Sequence, residues 1–174
     1  FIKLVQLFSA KSKAKGTSPR QKYRFYFWKH ATILAYYLGY RQGDIFNLEW
    51  ASLKDMRIIV HTGKTGQRLE IQIPDHRFGG QVIVDTIKQL HTNETPYVFP
   101  PVRQIYNEPT LRAILPAQFI YYCRQEGIFE KSFHNLRHTF ATRLFNEYGL
   151  SLKEVGEHLA HRSEKTTQRY VHVA

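Results

Sequence analysis

Cysteine is almost missing: Cys123 is the only one in 174 residues. A lone cysteine cannot close an internal disulfide, which excludes a disulfide-framed secreted module and points to a reducing, cytosolic compartment. It also excludes metal knuckles of the Cys-x-x-Cys type. No apolar run reaches the ~20 residues of a membrane span, and the opening residues lack a signal-peptide pattern. Acidic residues are scarce, 14 against 25 lysines and arginines, for a net charge of +11. That excess favours a polyanionic partner, nucleic acid or an acidic membrane surface. The chain starts at Phe1 rather than methionine, as an excised domain or processed fragment would.

What is present suits one globular domain. Hydrophobic residues make up 43% of the chain, enough to exclude a disordered polyelectrolyte. Residues 9–24 are small, polar and cationic, and residues 1–22 are expected to be a basic linker ahead of a domain over 23–174. Tyr23 to Leu38 is apolar on nearly every face, the pattern of a buried helix, and Gly39 is its expected stop. A short helix is expected over Asp44–Leu48. Residues 57–61 and 69–73 read as a β-hairpin, because Leu69, Ile71 and Ile73 alternate with polar residues. A third strand is expected over Glu49–Leu53. A helix fits 81–91, prolines 96, 100, 101 and 109 mark an irregular stretch, and another helix fits Leu111–Gln125. Helices over Asn135–Tyr148 and from Ser151 follow, the second opened by the capping box Ser151–Glu154. A last short helix from Ser163 is expected to carry Tyr170.

Several side chains could handle a phosphodiester. His134 and Arg137 lie three residues apart at a helix start, where free amides attract anions and a guanidinium can fork onto phosphate oxygens. They could equally be a structural histidine and an arginine paired with a carboxylate such as Glu147. Arg41 with Asp44 is either a supported phosphate ligand or a surface ion pair worth a few tenths of a kcal/mol. Lys64, at the tip of the hairpin, could reach a scissile phosphate as a general acid, or be an ordinary turn lysine. Its Gly63-Lys64-Thr65-Gly66 setting does not meet the phosphate-loop pattern, so an ATP site is rejected. Tyr170, nine residues beyond His161, is a nucleophile only if cations surround it and a base takes its proton. His138 reads as a structural, hydrogen-bonded histidine facing away from Arg137.

Four motifs in order resemble the catalytic domain of tyrosine recombinases, the phage integrase family. Gly39-Tyr40-Arg41, Asp44-Ile45 and Leu48-Glu49-Trp50 look like its first arginine box, usually Thr-Gly-x-Arg-x-x-Glu. The turn at Lys64 before Ile73-Pro74 looks like its hairpin lysine. His134 to Thr142 looks like its His-x-x-Arg-His-Thr-Phe-Ala-Thr box. Leu159-Ala160-His161-Arg162-Ser163, Thr166-Thr167 and Tyr170-Val171-His172 look like its closing Leu-Gly-His-x-Ser, Thr-Thr and Tyr-x-His. The resemblance runs over about 23–172 and implies an α+β fold, mainly helical, with a small three-stranded antiparallel sheet at one edge.

It also implies a chemistry. Tyr170 would form a 3′-phosphotyrosine bond to DNA. Arg41, Arg137, His134 and His161 would hold the phosphate, Asp44 would support Arg41, and Lys64 would protonate the leaving 5′ oxygen. Neither metal, ATP nor any other cofactor is expected. The partner is double-stranded DNA, bound by a homotetramer when the protein is full length and touched by Lys11, Lys13, Lys15, Arg20, Lys22 and Arg162. The setting would be the cytoplasm, at the nucleoid of a prokaryotic or phage-infected host, with a mobile element as one source. Three departures stand out. Asp44 replaces Glu, Ala160 replaces Gly, which could shift the loop slightly and should be tolerated, and the chain ends four residues past Tyr170. The family continues into a segment that docks on a neighbour, so a chain of this length is expected to be monomeric and weakly active. The family's N-terminal core-binding domain is expected to lie outside it. Competing readings are a type IB topoisomerase, a non-cutting DNA-binding module on the same fold, and, from charge alone, a basic RNA- or membrane-binding domain.

Overall fold

The longest helix, α2 (Pro19–Leu38), forms the centre of the molecule, and both of its ends are encoded locally. Ser18 and Gln21 form a capping box and Pro19 occupies the first turn, where its missing N–H costs nothing. Gly39 closes the helix in the left-handed conformation, at φ 64°. Phe27, Trp28, Ala31, Leu34, Ala35 and Leu38 are all buried, so the helix has no wholly polar side. The computed structural model describes residues 1–54, 57–61, 66, 68–72, 79–90, 94–161 and 163–171.

A first helix, α1 (Ile2–Lys13), lies against α2. This corrects the expected linker over 1–22. Leu4 and Phe8, one helical turn apart, are buried in the main core, and that burial outweighs the cationic tail of the helix. Only the short stretch between Lys13 and Pro19 remains outside helix. Next come α3 (Gln42–Phe46), a 3₁₀ turn at Trp50–Ser52, β1 (Leu53–Lys54), β2 (Arg57–His61) and β3 (Arg68–Gln72). The strands form an antiparallel sheet in the order β1-β2-β3, with Ile58 paired to Ile71. The strand expected over Glu49–Leu53 is largely absent. Glu49 makes an isolated bridge to Tyr97, and only Leu53 and Lys54 pair with β2. The turn with Lys64, and Ile73 with it, lie outside the described residues, as do the side chains of Leu69 and Ile71.

Among the described residues, five further helices follow: α4 (Gly80–Leu90), α5 (Pro100–Asn107), α6 (Ile114–Gln125), α7 (His134–Asn146) and α8 (Leu152–His158), with a short α9 (Glu164–Gln168) after them. The stretch expected to be irregular contains α5, because Pro100 and Pro101 fall in its first turn, where proline starts a helix instead of breaking one. The Ser151–Glu154 capping box opens α8 as expected. Tyr170 lies just past α9, its N–H bonded to Thr167 O at 2.8 Å, rather than on the helix.

Two apolar clusters meet along α7. The larger is aromatic: Phe27, Trp28, Phe46, Phe99, Phe119 and Phe133 pack with ring centroids about 5–6 Å apart. The smaller joins Phe140, Ala141 and Leu144 of α7 to Val155, Leu159 and Val171, with Tyr170 packed on it. The first turns of α7 therefore sit between two packed bodies. Among the described residues, no helix is long and apolar enough to cross a membrane.

Candidate active site

Among the described residues, Arg137 is the deepest charged group, 1% exposed. Its Nη1 donates to Gly39 O at 2.7 Å and its Nη2 to Leu159 O at 2.5 Å. The carboxylate that could have neutralised it, Glu147, pairs instead with Arg143 at 3.1 Å. Two neutral carbonyls thus position the guanidinium and leave its charge in place. Burial and the Arg41 charge beside it push Arg137 down to about 10, with Tyr170 and Asp44 acting in the opposite direction. It stays a cation at neutral pH.

Arg41 caps the N-terminus of α3, and Asp44, 8% exposed, lies in that helix. The Asp44 charge is felt at Arg137 and at Tyr40. His161 follows α8, with Nδ1 3.0 Å from Thr167 Oγ1. Burial, then the charges of Arg137 and Arg41, push its imidazole down to about 4, so it is neutral at pH 7. Tyr170 Oη is 2.9 Å from His134 Nε2. Its ring lies 4.7 Å from that of His161 and 5.7 Å from Arg137 Cζ. Arg41, His134, Arg137, His161 and Tyr170 are therefore brought together from segments up to 129 residues apart in the chain.

Three polar atoms in this group are buried with no hydrogen-bond partner among the described residues: Arg41 Nη1, Arg137 Nε and His161 Nε2. Buried donors are nearly always satisfied, and leaving one unpaired costs about 1–3 kcal/mol. Two guanidinium nitrogens and one imidazole nitrogen left unpaired side by side have the chemistry to receive an anion with several oxygen acceptors.

His138 corrects one expectation. It does not face away from the site: its ring stacks on Tyr170 at 4.1 Å and 14°, and meets His134 edge-on at 5.2 Å. The available signal was its i, i+4 relation to His134, which puts both on one face of α7. Sequence reasoning also passed over a role for Thr167, which touches His161. Of the remaining candidates, Lys64 and Arg162 lie outside the described residues. Lys11 sits 5.7 Å over the Phe25 ring, and Lys13, Lys15, Arg20 and Lys22 are exposed. No group of three or more His, Cys, Asp or Glu among the described residues could hold a metal ion.

Known proteins share this arrangement of chain and fold. The profile of the phage integrase family matches residues 10–174. The tyrosine recombinase XerA of Pyrococcus furiosus is 30% identical over 146 residues, covering 81% of this chain and 48% of its own length. The tyrosine recombinase XerD of Neisseria meningitidis serogroup A is 49% identical over 53 residues, 30% of this chain and 18% of that protein. Among solved structures, a lambda integrase dimer bound to a COC' core site superposes with a TM-score of 0.66 at 23% identity, over 97% of this chain and 45% of that one. The crystal structure of XerA recombinase gives 0.64 at 19% identity, over 99% and 58%. The chain belongs to the phage integrase family, the tyrosine recombinases. It spans about half the length of the XerA protein it matches.

Proposed function

We propose that this chain is the catalytic part of a site-specific DNA recombinase, cutting and rejoining DNA through Tyr170. The observation that carries this reading is the trio of unpaired buried polar atoms, two guanidinium nitrogens and one imidazole nitrogen, grouped near a tyrosine that is hydrogen-bonded to a histidine. Tyr170 Oη gives its proton to His134 Nε2 as the Oη–P bond forms. The P–O5′ bond breaks, and Lys64 supplies the proton that the 5′ oxygen takes up. Arg41 Nη1, Arg137 Nε and His161 Nε2 donate to the non-bridging oxygens, where charge grows in the transition state. Removing one such donor commonly costs about 3–4 kcal/mol in the barrier.

The phosphotyrosine ester keeps the energy of the broken bond, so attack by another 5′-hydroxyl reseals DNA without ATP. For the whole protein we propose double-stranded DNA as substrate and a homotetramer as the working assembly, acting in the cytoplasm at the nucleoid. A lambda integrase tetramer bound to a Holliday junction, a fold relative with a TM-score of 0.67, supports that assembly. Asp44 supports the arginine pair, and Lys11, Lys13, Lys15, Arg20, Lys22 and Arg162 serve as contacts to the DNA backbone.

The test uses duplexes nicked beside the cleavage position, so that cleavage releases a short strand and traps the adduct. Incubated without added metal, the wild-type chain should give a covalent protein–DNA band on a denaturing gel, and Tyr170→Phe should give none. An adduct that persists in Tyr170→Phe would remove Tyr170 as the nucleophile. If neither protein forms one on DNA that both bind, this chain alone does not cut.

A further inference from the structure

His161 Nδ1 meets Thr167 Oγ1 at 3.0 Å, while Nε2 is buried and unpaired among the described residues. Thr167 is fully buried on α9, and its hydroxyl also packs against Gly156 of α8. A Cβ placed on Gly156 of α8 would lie 2.7 Å from Thr167 Oγ1, so only glycine lets the two helices approach this closely. The backbone N–H of His161 also donates to Gly156 O at 2.9 Å. Imidazole, hydroxyl and glycine are thus wedged together with little freedom.

A neutral imidazole has one N–H and one lone pair, and the partner of one nitrogen decides what the other presents. If Nδ1 gave its hydrogen to Thr167, Nε2 would turn a lone pair towards the site and repel phosphate oxygens. That lone pair would also be the natural acceptor for Arg41 Nη1 or Arg137 Nε, yet neither donates to it. With the opposite polarity the hydroxyl donates to Nδ1, and Nε2 carries the hydrogen, ready for an oxygen anion.

We propose that Thr167 is a positioning residue that fixes the tautomer of His161: its hydroxyl donates to Nδ1 and so keeps the proton on Nε2, facing the phosphate. The proposal rests on the recombinase reading for its purpose, but the tautomer is a property of the free chain. It can be read by nitrogen NMR of protein carrying 15N-histidine, with His161→Gln identifying the resonances. Wild type should show His161 neutral with Nε2 protonated. Thr167→Ser should keep that state, and Thr167→Val should lose it and slow adduct formation about 10- to 100-fold at unchanged DNA affinity. A wild-type His161 protonated at Nδ1 would overturn the proposal, and so would a Thr167→Val protein that keeps the Nε2 proton. The wild-type spectrum decides even if Thr167→Val does not fold. It also stands apart from the recombinase reading, which the adduct assay on wild type and Tyr170→Phe tests separately.

Discussion

Replacing Gly39 with alanine should damage stability and the candidate site together. The new Cβ would lie 2.1 Å from Phe140 Cδ1 and 2.7 Å from Cε1. Phe140 is 6% exposed, so its ring cannot swing into solvent. Overpacking of this kind costs about 1–3 kcal/mol. The left-handed backbone at φ 64° adds about 1–2 kcal/mol for any residue with a Cβ. Lower chain entropy in the unfolded state returns ~0.5 kcal/mol, leaving a net loss of about 2–4 kcal/mol. For a chain of this size that lowers Tm by roughly 4–16 °C. Gly16→Ala is the control: its φ is 79° but nothing lies within 4 Å of the added Cβ, so with the same entropy gain it should lose only about 0.5–1.5 kcal/mol. Gly39 O also accepts from Arg137 Nη1, so the folded fraction of Gly39→Ala should form less adduct than Gly16→Ala. Urea unfolding gives the stabilities and the nicked duplex gives the adduct. Equal unfolding midpoints for the two variants would refute the Phe140 clash, and equal adduct yields would refute the link to Arg137.

Phe8→Ala should cost about 3–5 kcal/mol in urea unfolding, as for any buried phenylalanine; a loss below ~1 kcal/mol would mean that residues 1–13 are a loosely held linker after all. His161 sits at about 4 in the folded chain against an ordinary 6.5, so the unfolded chain takes up the proton that the folded chain refuses. Its contribution is complete above pH 6.5 and is lost as pH falls towards 4; a fully expressed shift is about 3 kcal/mol, reduced by partial solvent access to about 1–2 kcal/mol. Burial lowers His30 and His158 as well, so the test is the difference in slope between wild type and His161→Gln over pH 4–6.5, and identical slopes would refute the assignment. His138→Ala should slow adduct formation about 2- to 10-fold by removing a ring stack worth about 0.5–1.5 kcal/mol, while His138→Phe retains most of the rate; equal rates in both variants would show that the stack does not hold Tyr170.

How far the sequence could be read depended on how local each signal was. The cap of α8 is written within four residues and was legible, as was the α2 stop at Gly39, whose carbonyl later proves to anchor Arg137; the Ser18–Gln21 box that opens α2 was missed, because it lies in the stretch expected to be linker. The candidate residues were legible as motifs in order, but nothing local says that residue 41 meets residue 137. That meeting depends on two packed clusters either side of α7. The linker expected over 1–22 failed because lysine-rich composition hid the pair Leu4 and Phe8, whose burial in the main core favours the helix. The proline-rich stretch failed for a positional reason, since Pro100 and Pro101 fall in the one turn of a helix that accepts them.

Ala160 shows how the site itself constrains the chain. The family motif has glycine there, and the alanine was expected to be tolerated with at most a slight shift of the loop. Ala160 takes up the left-handed conformation, at φ 49°, a strain of about 1–2 kcal/mol for a residue with a Cβ. The bonds on either side leave it little choice. Leu159 O accepts from Arg137 Nη2, and the His161 N–H donates to Gly156 O. Relaxing Ala160 to an ordinary φ would break one of those bonds, releasing Arg137 on one side or withdrawing His161 from Thr167 on the other. A buried guanidinium stripped of a carbonyl partner costs more than the strain. The backbone therefore keeps the shape that glycine would take without strain, and Arg137 and His161 stay in register with Tyr170.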